Sequence, residues 1–284
     1  MRRTTAILAA ALATVTVGAT AEPIVRGEGQ QTADLAGTKL ELFTYRPGTC
    51  TDPSLLFVFH GLNRNAKNYR DYARPLGDRN CMLIVAPLFD QERFPTWRYQ
   101  RGGIADGRTV QPSHEWTGNL VVKLVDWVRA SERRTLDYFL IGHSAGAQFL
   151  SRVAAFTPTQ AKRIVVTNPS TYVAATLDVD APYGMGRVYD AATAQSQLRR
   201  YLGQPVTVFL GENDTGDENL NESPAAMAQG KTRLERGMNV YRDAKALAAS
   251  RGWPFNWRLV VLPGTGHSAR KMFSSSQALE ALKP

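Results

Sequence analysis

The chain is poor in the residues from which metal centres and membrane spans are built. It has two cysteines, Cys50 and Cys81, and four scattered histidines, His60, His114, His143 and His267, with no H-E-x-x-H run. Two thiols and isolated imidazoles lack the number and spacing of zinc ligands, so no metal is expected. No apolar run reaches the roughly 20 residues that a helix needs to cross a bilayer, which argues against a membrane anchor. There is no internal repeat and no low-complexity tract. Aromatic and basic residues mix in places, yet no nucleic-acid motif accompanies them, and nucleic acid is not expected as a partner.

What is present begins with an export pattern. Arg2 and Arg3 precede an apolar run from Ala6 to Val17 and a small-residue site, Ala19-Thr20-Ala21, so residues 1–21 read as a secretory signal peptide cleaved near Ala21. Thr4-Thr5-Ala6 stands where a twin-arginine signal carries bulky apolar residues, which favours ordinary secretion. A secreted or periplasmic chain meets oxidising conditions, and Cys50 and Cys81 each lie near the start of a predicted strand, so they are expected to form a disulfide. The formal charge of +9 falls by two, to +7, when Arg2 and Arg3 leave with the signal. That excess keeps a protein soluble and concentrates anions, without naming a partner.

Residues 22–284 then alternate apolar runs with amphipathic stretches, the mark of one α/β domain with a mostly parallel sheet between helical layers. Leu40 to Tyr45 alternates like an edge strand. Leu55 to Phe59, Met82 to Ala86, Leu136 to Ile141, Ile164 to Thr167, Val206 to Leu210 and Trp257 to Leu262 read as strands, with the continuous apolar runs buried on both faces. Leu120 to Val128 has helical spacing, and Leu234, Met238, Tyr241 and Ala248 form a stripe expected to pack on the core. Two stretches near 88–117 and 170–204 break the alternation and are expected as lids or binding walls. In the first, Phe89, Phe94, Trp97 and Tyr99 interleave with Arg93, Arg98 and Arg101, either as contacts for acyl groups or carboxylates or as an exposed lid with snorkelling arginines.

Gly142-His143-Ser144-Ala145-Gly146 follows one predicted strand and opens the helical run Ala147 to Phe156. A serine at such a turn needs small neighbours because the backbone is crowded, and the helix start offers N–H groups to an oxyanion. Serine attacks only when a base takes its proton, so Ser144 needs a histidine. His267, in the glycine-containing loop after the last strand, is the candidate base, with His114 in reserve; His143 is expected to be turned away from its neighbour and His60 ends a strand. The third member is a carboxylate that holds the imidazole tautomer. Asp214, directly after a strand, is the first choice, with Glu212, Asp217 and Glu218 close enough to compete. His60-Gly61-Leu62 follows the first buried strand, so the Leu62 and Ala145 backbone N–H groups are the expected oxyanion donors. Asn213 and Asn221 head glycosylation-type triplets that carry no meaning in a bacterial exported chain.

His60-Gly61, the Gly142 to Gly146 turn, Asp214-Thr215 and Gly266-His267 together resemble the α/β-hydrolase superfamily, in its secreted esterase and polyester-depolymerase branch, over nearly all of residues 22–284. The chain is also similar to bacterial poly(aspartic acid) hydrolases. The resemblance implies an α/β-hydrolase fold as a three-layer sandwich and hydrolysis through an acyl-serine without metal or organic cofactor. The partner implied is a small or polymeric ester substrate, or, as an amide-cleaving alternative, an anionic polymer suited to a basic groove. A non-catalytic binding protein on the same fold is the remaining alternative.

Overall fold

The computed structural model describes residues 22–284; the expected signal peptide, residues 1–21, lies outside the described residues. The chain opens with an antiparallel pair, β1 (Gly27–Asp34) and β2 (Lys39–Arg46), then adds β3 (Ser54–Phe59), helix α1 (Ala66–Asn80) and β4 (Met82–Pro87). A small hairpin, β5 (Ala105–Asp106) with β6 (Thr109–Val110), precedes α2 (Asn119–Glu132), β7 (Tyr138–His143), α3 (Ala145–Phe156) and β8 (Arg163–Thr167). The rest runs α4 (Ala191–Leu202), β9 (Val206–Gly211), α5 (Pro224–Met227), α6 (Arg233–Arg251), β10 (Arg258–Leu262), α7 (Ala269–Ser274) and α8 (Ser276–Leu282).

Eight strands form one sheet in the order β1-β2-β4-β3-β7-β8-β9-β10. Only the pairings of β2 with β1 and with β4 are antiparallel. Strands β4, β7, β8 and β9 are buried along their whole length and β3 at all but its first residue, as their unbroken apolar runs require. Alternate residues feed two cores. Leu55, Phe57 and Phe59 join Leu140 and the helices α2 and α3 on one face, whereas Leu56, Val58 and Ile141 join Ala73, Met272 and Ala278 of α1, α7 and α8 on the other.

Three expectations need correction. Leu40 to Tyr45 is not the edge: β1 covers it, and β1 escapes a hydrophobicity reading because Gly-Glu-Gly-Gln-Gln-Thr-Ala-Asp has almost nothing apolar to alternate. In α6 the buried face is Arg233, Arg236, Gly237, Val240, Ala244 and Ala248. Leu234 and Tyr241 flank the core and Met238 is exposed, because two arginines take inward positions that the spacing of apolar residues assigns to others. Phe89, Phe94 and Tyr99 are buried in the core, not exposed on a lid. Phe89 packs with Phe59 and Phe149, Tyr99 packs on Phe149 and stacks on Phe89 at 5.1 Å, and Phe94 meets Phe89 edge-on, while Arg93 and Arg98 lie over the Phe94 ring. The 170–204 stretch, where loops or short helices are expected, contains α4, started by the Asp190 side chain accepting the Thr193 N–H at 2.8 Å.

Cys50 and Cys81 are bonded, with Cα atoms 5.2 Å apart, tying the approach to β3 to the start of β4. The bridge spans 31 residues, and closing such a loop restricts the unfolded chain by about 3 to 4 kcal/mol in the chain-entropy model. The Cys50→Ser, Cys81→Ser double variant should therefore lose about that much unfolding free energy in urea titrations; an unchanged midpoint and slope would count against a stabilising bridge.

Candidate active site

The first-choice residues for chemistry emerge at the carboxyl ends of parallel strands. Ser144 follows β7, Asp214 follows β9, His267 follows β10, and Gly61 and Leu62 follow β3. Ser144 is the sharp point of the strand-to-helix turn, with φ 57° and ψ −115°. A non-glycine residue held there costs on the order of 1 to 3 kcal/mol, so its surroundings must impose it. The Ser144 N–H donates to Thr167 O at 3.0 Å, and Ser144 O accepts from the Gln148 N–H at 2.9 Å, pinning the turn to β8 on one side and α3 on the other. The flanking glycines are obligatory. A Cβ on Gly146 would sit 2.2 Å from Phe59 O, and one on Gly142 would sit 2.6 Å from the Gly146 carbonyl.

Asp214 is buried, and its Oδ2 accepts from His267 Nδ1 at 2.7 Å. That contact leaves Nε2 as the free ring nitrogen. Ser144, His143, Asp214 and His267 line one pocket of about 530 Å³ together with Gly61 and Leu62. Ser144 and His267 make no hydrogen bond to each other. The backbone N–H groups of Leu62 and Ala145 donate to no other acceptor among the described residues and remain free for a ligand oxygen.

The competing residues have other places. Glu212 is exposed and its Oε2 accepts the Gly264 N–H at 2.9 Å; Asp217 and Glu218 are exposed on the loop beyond Asp214. His114 is exposed beside Glu115 and does not line this pocket. His143 was not foreseen as a neighbour of the base: its buried ring packs on His267 with centroids 4.5 Å apart, and Tyr69 Oη lies 3.3 Å from its Nδ1. Burial, with His267 and Arg233 nearby, pushes its pKa well below the ordinary imidazole value. Arg233 was also missed. It donates to Asp214 Oδ1 at 3.4 Å from the first turn of α6, 19 residues along the chain, where no local motif marks it.

His60 is a brace for the loop that carries Leu62. Its Nε2 accepts the Phe89 N–H at 3.1 Å, its Nδ1 lies 3.0 Å from Gly61 O, and the Tyr99 hydroxyl donates to its carbonyl at 2.8 Å. Those contacts assign the proton to Nδ1. Desolvation lowers its pKa from 6.5 to about 4. The unfolded chain takes up that proton near pH 6.5 and the folded chain only near pH 4. Stability is therefore complete above that window and lost as the pH falls through it, by about 3 kcal/mol. In urea titrations across this range a folded His60→Gln variant should show a shallower fall in stability than the parent; equal slopes would deny His60 this role.

No protein-family model and no curated protein sequence matches the chain. Solved structures do. A poly(3-hydroxybutyrate) depolymerase from Bordetella parapertussis, LpqC, is 33% identical over 90% of both chains, with a TM-score of 0.83. Poly(aspartic acid) hydrolase-1 from Sphingomonas sp. KT-1 is 31% identical, also at TM-score 0.83, over 91% of this chain and 98% of that one. A dienelactone hydrolase from Anabaena variabilis, 16% identical at TM-score 0.53 over 89% of this chain and 94% of its own, shares the fold. With its parallel sheet between helical layers and this degree of identity, the chain belongs to the α/β-hydrolase superfamily, in its branch of esterases and polymer depolymerases, and is a hydrolase.

Proposed function

We propose that this hydrolase is a secreted serine esterase that cleaves carboxylic esters, small or oligomeric, through an acyl-enzyme on Ser144. The observation that carries this reading is the 2.7 Å contact between Asp214 and His267 in the pocket that also holds the strained Ser144 turn. Ser144 Oγ attacks the substrate carbonyl as His267 Nε2 takes its proton, and Asp214 holds the other nitrogen and stabilises the imidazolium. The developing oxyanion is received by the Leu62 and Ala145 N–H groups. Collapse breaks the ester C–O bond, and His267 returns the proton to the departing alcohol. Water then attacks the acyl-serine, giving its proton to His267, and collapse releases the acid and restores the Ser144 hydroxyl. The disulfide supports a location outside the cytoplasm after cleavage near Ala21.

A second reading, amide hydrolysis on an anionic polymer, uses the same residues. It is favoured by the 31% identity to poly(aspartic acid) hydrolase-1 and by Arg270, an exposed guanidinium on the pocket wall with no acidic partner among the described residues.

A fluorophosphonate probe should label the folded protein and fail on Ser144→Ala, which should also lose about 10⁴-fold or more in kcat on a nitrophenyl ester. A folded parent that resists the probe would point instead to a non-catalytic binding protein. Parallel assays on nitrophenyl butyrate, poly(3-hydroxybutyrate) and poly(aspartate) separate the two substrate readings: cleavage of poly(aspartate) that weakens steeply with salt favours the amide enzyme, and ester cleavage indifferent to salt favours the esterase.

A further inference from the structure

Arg233 and Asp214 form an ion pair in which neither side chain is more than 2% exposed. The two carboxylate oxygens are divided: Oδ2 faces His267 Nδ1 and Oδ1 faces Arg233 Nη1. Nη1 also donates to Gly216 O at 3.2 Å and Nη2 to Glu218 O, both on the loop that follows Asp214. Gly216 and Glu218 line the pocket themselves. The arginine is held firmly, as the first residue of α6, whose Thr232 cap accepts the Glu235 N–H at 3.1 Å. The next residue, Leu234, donates its N–H to Asp214 O at 3.3 Å, so one helical turn grips the acid through both backbone and side chain.

We propose that Arg233 is a positioning residue for the triad, fixing Asp214 with Oδ2 toward His267 and offsetting the charge of the buried carboxylate beside the imidazole. The inference rests on the reading of Ser144, His267 and Asp214 as a catalytic set. Its electrostatic half follows from the groups around His267. Asp214 faces it from the loop after β9, with Arg233 of α6 behind. His143, at the end of β7, packs on its ring as a neutral imidazole, backed by Tyr69 of α1. Glu218 and Arg270 carry opposite charges on the pocket wall. Tyr172 feels the Asp214 charge and is neutral, its pKa raised well above the ordinary phenol value by burial first and by Asp214 next. Removing the Arg233 cation leaves Asp214 as the one buried charge next to the ring. That favours the imidazolium, so a base that must be neutral becomes available only at higher pH.

The test is the pH dependence of kcat/KM on nitrophenyl butyrate for the parent, Arg233→Met and Arg233→Lys, across the imidazole range of about pH 5 to 9. In Arg233→Met the acid limb should move up by about 1 pH unit. Its kcat at the plateau should drop about tenfold or more from misplacement of the acid, with KM little changed. Arg233→Lys keeps the charge but not the fork, so its limb should stay in place while kcat drops several-fold. A folded methionine variant with the parent limb and kcat would overturn the inference. If that variant fails to fold, judged by near-ultraviolet circular dichroism, the lysine variant decides: parent kcat would overturn it, and a reduced kcat at an unmoved limb would support it. Fluorophosphonate labelling of the same samples separates two failures. An unlabelled parent removes the triad and this inference together, whereas a labelled parent beside an unaffected methionine variant removes this inference alone.

Discussion

The backbone of Gly146 runs so close to the carbonyls of Phe59 and His60 that no side chain fits between them. This contact joins the ends of two adjacent strands, β3 and β7, and everything at the pocket depends on it. The serine turn belongs to one strand and the Leu62 loop to the other, so pressing them together sets the spacing between Ser144 and the backbone N–H groups of Leu62 and Ala145. The sheet supplies the rest of the register, because β7, β8, β9 and β10 are consecutive neighbours and all end on the same side. His267 and Asp214 arrive from strands that are themselves paired, from Arg258 with Thr207 to Leu262 with Gly211. Separate loops thus share one rigid reference frame, and the strain stored at Ser144 is supported by packing on every side.

Buried arginine is the second organising element. Arg70, Arg152, Arg233 and Arg236 are among the largest fully buried side chains. Of these, Arg152 and Arg236 are held chiefly by carbonyl oxygens: Arg152 reaches Gln148 O and Thr171 O, and Arg236 reaches Gly230 O and Ser170 O. Gln148 lies within α3, but Thr171, Ser170 and Gly230 lie in loops, so for those three carbonyls a five-donor fork stands in for missing secondary structure. Burial lowers the Arg152 pKa to about 10, which still leaves it charged at neutral pH. The positive charge of this chain is therefore partly internal scaffolding, and the surface available to attract anions is less basic than the composition alone implies.

This division explains what was legible in the sequence. Strands buried on both faces announce themselves through continuous apolar runs, and the serine turn through its glycines; these features are local and chemically extreme. β1 was hidden because its pairing is made by the backbone of a polar edge. The inward face of α6 was displaced by arginines whose partners lie far away in sequence. His143 and Arg233 escaped for the same reason: their places beside His267 and Asp214 are set by tertiary contact, and nothing in adjacent residues encodes it. The aromatic residues between Phe89 and Tyr99 were ambiguous because ring and guanidinium alternate equally in a wall and in a capped core; here Phe89, Phe94 and Tyr99 turn inward.

The Cys50–Cys81 bond lies at the amino ends of β3 and β4, whereas the pocket opens at the carboxyl ends. Strands of six residues separate them by about 20 Å. Durability and turnover are thus anchored at opposite poles of the same sheet. An environment that opens the sulfur bond would shorten the working life of the molecule while each surviving copy kept its chemistry, and selection can tune robustness to a harsh milieu without disturbing the machinery at the far rim.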